Sequence, residues 1–194
     1  TCLAPLFSGG SVICAPGFEP GAFFDWLVDL QPTWFSTSPT TLEIIVRVAP
    51  QHLEQVAKHR LRYLRSSAAA LPVPVQEKLE NLFRVAVFTA YGMTETAGAI
   101  TGHPIERSAI KKGSVGLPIW GRVAIMEENG PRLLPNKTVG EIVVQGPAVT
   151  PGYYNAPEAN TRAFVNGWLR SGDQGYLDED GELFITGRLK EMIL

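Results

Sequence analysis

The alternation of short apolar runs with helical patterns over the first 115 residues constrains the fold more than any other feature of this chain. Each run is long enough for a buried strand, and the stretches between runs carry apolar residues at helical spacing. The runs predicted as strands are 11–15, 33–38, 64–68 and 85–89. Strand, helix and strand in succession predict an α/β fold with a mainly parallel sheet and flanking helices.

The pattern changes near residue 115, where helical spacing almost disappears. Beyond it, short strands are separated by turn residues, and the dipeptides Asn129-Gly130 and Asp180-Gly181 are typical of β-hairpins. One short helix is predicted over 157–164. We therefore expect an α/β subdomain of residues 1–115, followed by a smaller, β-barrel-like subdomain of residues 116–194.

The composition excludes several classes of protein. The chain has 194 residues, 45% of them hydrophobic, and a formal net charge of -2, so it can bury a core and offers no basic surface for nucleic acid. No apolar stretch approaches the roughly 18 residues of a membrane span. Cys2 and Cys14 are predicted to be reduced core residues. These features predict a cytoplasmic protein.

Two of the predicted strands end in segments that suit a ligand, because ligands of open α/β sheets bind beyond the carboxyl ends of strands. The segment LRSSAAALP (64–72) offers small side chains against which a flat ring can lie. The segment FTAYGMTET (88–96) offers the aromatic face of Tyr91 and the hydroxyl of Thr94, and Glu95 is a hard oxygen ligand of the kind that Mg²⁺ shares with phosphates. A nucleotide triphosphate site and ordinary turn chemistry both explain these two segments.

A third segment, GWLRSGDQGYLDEDGELFITGRLKEMI (167–193), adds three further candidate ligand residues, Asp173, Arg188 and Lys190. Asp173 is predicted to lie in a Gly-bounded turn, and Arg188 and Lys190 follow a predicted hairpin. One carboxylate can accept hydrogen bonds from both hydroxyls of a ribose, and a nearby guanidinium can add a donor. The alternative is that Asp173 only forms the turn and Arg188 is a solvated surface charge.

Three motifs, in this order and at this separation, resemble those of the adenylate-forming superfamily of acyl-CoA synthetases, 4-coumarate-CoA ligase-like enzymes, luciferases and peptide-synthetase adenylation domains. They are YGMTE, GWLRSGDQGYLDEDGELFITGR and GRLKEMI. LAPLFSGGSVICAPGFEP and PTWFSTSPTTL also resemble the stretch that precedes the nucleotide motifs in this superfamily. The resemblance covers essentially the whole chain and implies an internal part of the large N-terminal domain of such an enzyme.

The resemblance also implies a set of binding residues. For ATP, Ala68 and Ala69 would lie against the adenine, Tyr91 on its other face, Thr94 at the α-phosphate, Glu95 on Mg²⁺, Asp173 and Arg188 at the ribose, and Lys190 at the hinge to a C-terminal domain. The acyl pocket would be built from Ser38, Pro39, Ala90, Gly92, Gly98 and Ala99. Two departures leave the strength of nucleotide binding open: Ala70 stands where proline is usual, and Thr89 stands where many relatives have an amide.

The implied reaction has two steps. A carboxylic acid attacks the α-phosphate of ATP to give an acyl-adenylate and pyrophosphate, and the thiol of coenzyme A then displaces AMP. The rate would come from positioning and from neutralising charge on the phosphate oxygens. The family's Ser/Thr/Gly-rich phosphate loop and its C-terminal lysine have no counterpart in these 194 residues. We therefore expect the chain alone to bind ATP weakly and to catalyse nothing measurable.

Other functions remain alternatives. A peptide-synthetase adenylation domain shares the reaction, although such domains usually have Pro where Met93 stands. An acyl-AMP ligase that loads a carrier protein is a second alternative, and a catalytically inactive binding module on the same scaffold is the alternative outside enzymes. A hydrolase is not supported, because there is no GxSxG motif and His52, His59 and His103 lack an evident Ser or Cys partner. Packing suits these histidines better, although His103 could line the entrance to the acyl pocket.

Overall fold

A computed structural model describes residues 3–105 and 110–189 of the chain. The chain forms two compact units, Thr1–Phe88 and Thr89–Leu194. Cys2 and the predicted hinge residue Lys190 lie outside the described residues. The subdomain boundary expected after residue 115 stays a prediction.

The first unit combines helices with a three-stranded sheet of order β1-β2-β3. Its elements are α1 (Leu3–Phe7), α2 (Pro20–Asp29), β1 (Trp34–Thr37), α3 (Pro39–Val48), a 3₁₀ turn (Ala49–Gln51), α4 (Leu53–Lys58), β2 (Tyr63–Ser66), α5 (Val73–Phe83) and β3 (Ala86–Thr89). Strands β1 and β2 pair in parallel, as expected for strands joined through helices. A mainly parallel sheet as the organising layer of the larger domain stays a prediction.

Local sequence explains where two of the helices of this unit, α2 and α3, begin. Glu19 precedes α2, and its carboxylate accepts hydrogen bonds from the backbone N–H groups of Gly21 (3.1 Å) and Ala22 (2.5 Å). Ser38 precedes α3 in the same way and accepts from the N–H of Thr41 at 3.5 Å. Both helices have proline at their first position, where the missing N–H costs nothing.

The core of the first unit is formed by the inner faces of these helices and by the sheet. Fully buried side chains from α2, α3, α5 and β2 meet there: Phe24, Leu27, Leu42, Ile45, Leu64, Leu79 and Phe83. The spacing of these residues within each helix is the helical spacing read from the sequence. The predicted helices of this unit are therefore confirmed.

The strand predicted at residues 11–15 is wrong. These residues have no regular secondary structure, and Ile13 is 47% exposed. Cys14, expected in the core, is exposed with a free thiol. A strand is stable only when a neighbour completes its hydrogen bonds, and none of the described strands pairs with this segment.

The second unit is rich in antiparallel strands. Its elements are β4 (Tyr91–Met93), a 3₁₀ turn (Thr94–Thr96), β5 (Gly98–Gly102), β6 (Leu117–Pro118), β7 (Arg122–Met126), β8 (Leu133–Leu134), β9 (Gly140–Gln145), α6 (Pro157–Ala163), β10 (Phe164–Val165), β11 (Trp168–Leu177) and β12 (Leu183–Arg188). One sheet has the order β10-β11-β9-β7-β8, with β12 paired to β11, and a second has the order β4-β5-β6.

The turn signals of the second unit predicted its hairpins correctly. β7 and β8 flank Asn129-Gly130, β11 and β12 flank Asp180-Gly181, and both pairs are antiparallel. The general prediction of an α/β part followed by a β-rich part is confirmed, and closure into a barrel stays a prediction. No helix among the described residues has the length and apolar character needed to cross a membrane.

Candidate functional site

The turn between β4 and β5 presents a hydroxyl and a carboxylate at its tip. Thr96 is fully buried, and its Oγ1 lies 2.9 Å from the carbonyl oxygens of both Met93 and Gly98 and accepts from the N–H of Met93 at 3.2 Å. This one side chain closes the 3₁₀ turn. Thr94 is therefore left exposed and Glu95 partly exposed. In the motif TAYGMTET, Thr96 therefore builds the turn, and its neighbours Thr94 and Glu95 remain accessible to a ligand.

The small residues around this turn were predicted to line the acyl pocket, but the geometry of the β4–β5 hairpin also requires glycine at two of these positions. A Cβ on Gly92 would lie 2.0 Å from the carbonyl oxygen of Gly98, so close approach of β4 and β5 requires glycine. Gly98 has φ +123, a conformation that L side chains rarely adopt. The carbonyl of Ala99 accepts a hydrogen bond from the indole N–H of Trp120 at 2.7 Å, and Ala90 is half-buried. Their role as pocket residues stays a prediction.

The centre of the site is a buried carboxylate with two donors. The Tyr91 hydroxyl donates to Oδ2 of Asp173 at 2.7 Å, and Nε of Arg188 donates to Oδ1 at 2.7 Å. Asp173 is 6% exposed and Tyr91 is 8% exposed. Burial, together with the neighbouring carboxylate, raises the pKa of Tyr91 far above its ordinary value, so its hydroxyl keeps its proton and acts as the donor. Two motifs far apart in sequence are thus joined at one anion.

The Gly-bounded turn predicted at Asp173 is wrong, because Asp173 lies inside β11, in an irregular stretch of the strand. This stretch is held by residues that the sequence analysis missed. Ser171 Oγ accepts from the N–H of Asp173 at 3.0 Å and donates to a carbonyl of β9 at 2.7 Å. Gly172 has φ +76, and its N–H donates to Glu141 Oε1 at 2.9 Å. Arg170 donates to the other oxygen of Glu141 at 2.5 Å. A glutamate within the apolar run GEIVVQ was the one signal that could have revealed this pair.

Glu95 also has a partner that the sequence did not indicate. The hydroxyl of Tyr153 donates to Glu95 Oε1 at 2.9 Å, and the N–H of Thr150 donates to the backbone carbonyl of Glu95 at 2.7 Å. Both partners belong to the loop between β9 and α6. The turn that carries Glu95 is therefore bound to this loop through its main chain and its carboxylate.

The donor set at Glu95 fits a magnesium ion that is shared with a ligand. Within residues 3–105 and 110–189, no three His, Cys, Asp or Glu side chains gather closely enough to hold a metal ion by themselves. Mg²⁺ usually keeps several waters and binds through one or two carboxylates plus substrate phosphates. A single carboxylate such as Glu95 suits that mode of binding.

The remaining predicted ligand residues lie in the first unit. Ala68, Ala69 and the unusual Ala70 are exposed in the loop after β2. Ala68 has φ +77, which costs a non-glycine residue roughly 1–2 kcal/mol. Such strain is typical of functional loops. Ser38 and Pro39 begin α3, which accounts for both residues without a ligand, and their pocket role stays a prediction.

The histidines and Thr89 make packing contacts. Thr89 Oγ1 donates to the carbonyl of Ser114 at 2.6 Å and lies 3.1 Å from His103 Nε2. His59 lies between two backbone groups, accepting an N–H through Nδ1 at 2.9 Å with Nε2 3.0 Å from a carbonyl. His52 stacks on an aromatic ring of α2 with the ring centroids 4.4 Å apart. A place for His103 at the entrance to the acyl pocket stays a prediction.

The candidate site holds a buried carboxylate between a phenol and a guanidinium, and the neighbouring turn exposes a hydroxyl and a second carboxylate. This arrangement has the chemistry of a site for a sugar phosphate or nucleotide. The chain belongs to the AMP-binding enzyme family, whose sequence model matches residues 1–154. The predicted membership of this family is therefore confirmed.

Individual relatives agree with this membership. The probable CoA ligase CCL9 of Humulus lupulus is 39% identical, with 98% of this chain and 37% of that protein covered. Oxalate–CoA ligase of Arabidopsis thaliana is 38% identical, with the same 98% and 37% covered. The ATP-bound crystal structure of MatB from Rhodopseudomonas palustris has a TM-score of 0.87 and 28% identity, covering 98% of this chain and 37% of that one. The chain thus spans about 37% of the length of these relatives.

Proposed function

We propose that the full-length protein containing this chain is an AMP-forming acid–thiol ligase. It activates a carboxylic acid with ATP to an acyl-adenylate and pyrophosphate, and then transfers the acyl group to coenzyme A with release of AMP. The observation that carries this proposal is the group formed by Tyr91, Asp173 and Arg188, because it joins two separate motifs of the family at one buried carboxylate. Membership of the AMP-binding family supports the reaction class.

In this proposal, Asp173 accepts the two ribose hydroxyls. Each of its oxygens accepts one hydrogen bond within the protein, from Tyr91 or from Arg188, and an ionised carboxylate has about four acceptor positions. Asp173 therefore has acceptor positions left for the two ribose hydroxyls. Arg188 adds a donor at the sugar, and the ring of Tyr91 stacks on the adenine opposite Ala68 and Ala69.

The exposed tip of the β4–β5 turn carries the phosphate chemistry of the proposal. Thr94 donates a hydrogen bond to the α-phosphate, and Glu95 binds Mg²⁺. The bound ion supplies positive charge where negative charge develops on the phosphate oxygens. The acid occupies a pocket formed by Ser38, Pro39, Ala90, Gly92, Gly98 and Ala99.

The proposal extends to the partners of the full-length protein. A C-terminal domain, joined through a hinge at Lys190, supplies a lysine for the adenylation step, and the enzyme is cytoplasmic. The acceptor of the acyl group is coenzyme A. A carrier protein is the alternative acceptor, and an assay with each acceptor distinguishes the two. Because one relative is named as an oxalate–CoA ligase, oxalate belongs in the first panel of acids, beside fatty and aromatic acids.

Exchange of Glu95 for Gln in the full-length protein tests the proposal. Loss of the metal-binding carboxylate should reduce acid-dependent pyrophosphate release at least tenfold, since the charge on the phosphates is then poorly neutralised. Glu179→Gln, on an exposed hairpin turn, is the matched control and should leave the rate unchanged. Wild-type pyrophosphate release by the Glu95→Gln variant would contradict the assigned role, and no release by the wild type with any acid would favour a binding module.

A further inference from the structure

We propose that Tyr153 is a positioning residue for the carboxylate of Glu95. Its hydroxyl holds one carboxylate oxygen, so that the other stays available to a metal ion. This inference rests on the proposed function, in which Glu95 binds Mg²⁺. The two residues are 58 positions apart in the sequence, and their contact exists only in the folded chain.

The chemistry of Tyr153 and Glu95 fixes which of them donates the hydrogen bond. A phenol hydroxyl can donate to a carboxylate, whereas an ionised carboxylate can only accept, so Tyr153 is the donor to Oε1 of Glu95 at 2.9 Å. A bond of this kind, with a charged acceptor, is about twice as strong as a neutral one. It limits rotation of a carboxylate that stands near the tip of a single helical turn and would otherwise sample several rotamers.

The loop that carries Tyr153 is itself tied at two points. The N–H of Thr150 donates to the backbone carbonyl of Glu95 at 2.7 Å, which docks the start of the loop on the turn. The side-chain amide of Asn160 then binds both backbone groups of Tyr153: it accepts from the N–H at 2.7 Å and donates to the carbonyl at 2.9 Å. The main chain of Tyr153 is therefore held on either side of its side chain.

The next residue in the loop provides an internal comparison. Tyr154 is 92% exposed, whereas Tyr153 is 39% exposed and directs its hydroxyl to Glu95. Gly152, with φ +151, sits so close to the Asn160 amide that a Cβ would lie 3.1 Å from Asn160 Oδ1. The loop backbone thus selects one of two adjacent tyrosines for the contact with the carboxylate.

Hydrogen bonds that orient a metal-binding carboxylate strengthen metal binding without touching the metal. Their removal typically weakens metal affinity by about 10–100-fold. Because Tyr153 is partly exposed, we expect the lower end of this range. The effect should fall on metal affinity and on the apparent KM for the metal–ATP complex, while the rate at saturating metal stays near the wild-type value.

The test measures Mn²⁺ binding to the full-length protein in the presence of a non-hydrolysable ATP analogue, by electron paramagnetic resonance of free Mn²⁺. Tyr153→Phe should raise the Kd for Mn²⁺ about tenfold. Tyr154→Phe is the matched control and should bind Mn²⁺ as the wild type does. Glu95→Gln should weaken binding more than Tyr153→Phe does. The Tm of Tyr153→Phe should fall only slightly below that of Tyr154→Phe, because the lost bond to Glu95 is partly exposed and the Asn160 contacts to the backbone remain.

The possible results distinguish the positioning role of Tyr153 from the metal-binding role of Glu95. If Tyr153→Phe binds Mn²⁺ like the wild type while Glu95→Gln does not, the positioning role is overturned and the proposed function stands. If Glu95→Gln also binds like the wild type, the metal is not held at Glu95, and both assignments fail. Recovery of pyrophosphate release by Tyr153→Phe when Mg²⁺ is raised tenfold would support a defect in metal affinity alone.

Discussion

At the scale of single residues, Asp173 shows how the fold accommodates a buried carboxylate. A carboxylate removed from water is unstable unless donors replace the water. Tyr91 and Arg188 supply one donor to each oxygen, and Ser171 fixes the backbone N–H of Asp173. The carboxylate is thereby held in one orientation, and in the proposed ribose site this preorganisation would lower the entropy cost of binding.

Removal of the Tyr91 hydroxyl tests this arrangement. Tyr91→Phe keeps the ring, so we expect the free energy of unfolding to fall by about 1.5–3 kcal/mol, the usual contribution of a hydrogen bond to a charged group. Urea denaturation followed by circular dichroism would measure the change. Tyr154→Phe, at an exposed position, should unfold like the wild type. Identical curves for Tyr91→Phe and the wild type would show that the bond does not stabilise the carboxylate.

The sequence predicted which residue types form this group, but it did not predict their contacts. Asp173 and Arg188 were expected at one sugar because a carboxylate can accept from both ribose hydroxyls and a nearby guanidinium can add a donor. The register of β11 and β12 places the two residues directly opposite each other. The bond from Tyr91 to Asp173 was not predicted. It joins residues 82 positions apart, and no local pattern records how the β4–β5 hairpin packs against β11.

At the scale of secondary-structure elements, β11 is irregular along the stretch that contains Asp173. Its pairing with β9 shifts register between Arg170 and Gln174, the stretch that contains Asp173. The ion pair of Arg170 and Glu141 lies in this gap, with side chains 15% and 7% exposed. Arg170 also donates to the carbonyls of Glu127 and Glu128 beyond the end of β7. A largely buried ion pair therefore replaces the ladder hydrogen bonds that the bulge removes.

Breaking this ion pair should destabilise the unit strongly. Glu141→Gln leaves Arg170 without its anionic partner, and loss of one member of a buried pair costs about 3–5 kcal/mol. Denaturant unfolding would measure the loss. The matched control is Glu179→Gln, which removes an exposed ion pair with Lys137 and should have no measurable effect. Equal stability of the two variants would contradict a structural role for the buried pair.

Elements that depend on local signals were predicted well, and those that depend on partners were not. The Asn129-Gly130 and Asp180-Gly181 turns specify hairpins through the conformations of two residues. The apolar run at 11–15 was also predicted as a strand, yet its side chains are mostly exposed and it pairs with none of the described strands. A strand signal is a preference, and a neighbouring strand decides whether it is realised.

At the scale of the whole molecule, charges on the β11–β12 hairpin link stability to pH. Lys111 forms ion pairs with Asp178 and Asp180. Burial acts to raise the pKa of Asp178, but the Lys111 ammonium and the backbone N–H groups of Asp180 and Glu182 together hold this pKa below its ordinary 3.8. The folded chain therefore binds fewer protons at this carboxyl than the unfolded chain does in the acid range.

The expected pH dependence follows from the sign of this shift. The contribution of Asp178 to stability is fully present above the unfolded pKa of 3.8 and is lost as the pH falls through the lower folded value. Asp178→Asn should therefore flatten the acid limb of a plot of unfolding free energy against pH between about 5 and 2. Glu158→Gln, on the exposed side of α6, should keep the wild-type slope. A wild-type slope in Asp178→Asn would contradict the linkage.

The sequence by itself determined the helices, the hairpins and the identity of the three motifs, because helical spacing, turn conformations and short motifs depend on residues close together in the chain. The tertiary structure alone decided that Tyr91 bonds Asp173, that Tyr153 bonds Glu95 and that Glu141 pairs with Arg170. Each of these contacts joins residues separated by tens of positions. Such contacts depend on strand register and loop docking, which result from packing of the whole unit and leave no periodic trace in the sequence.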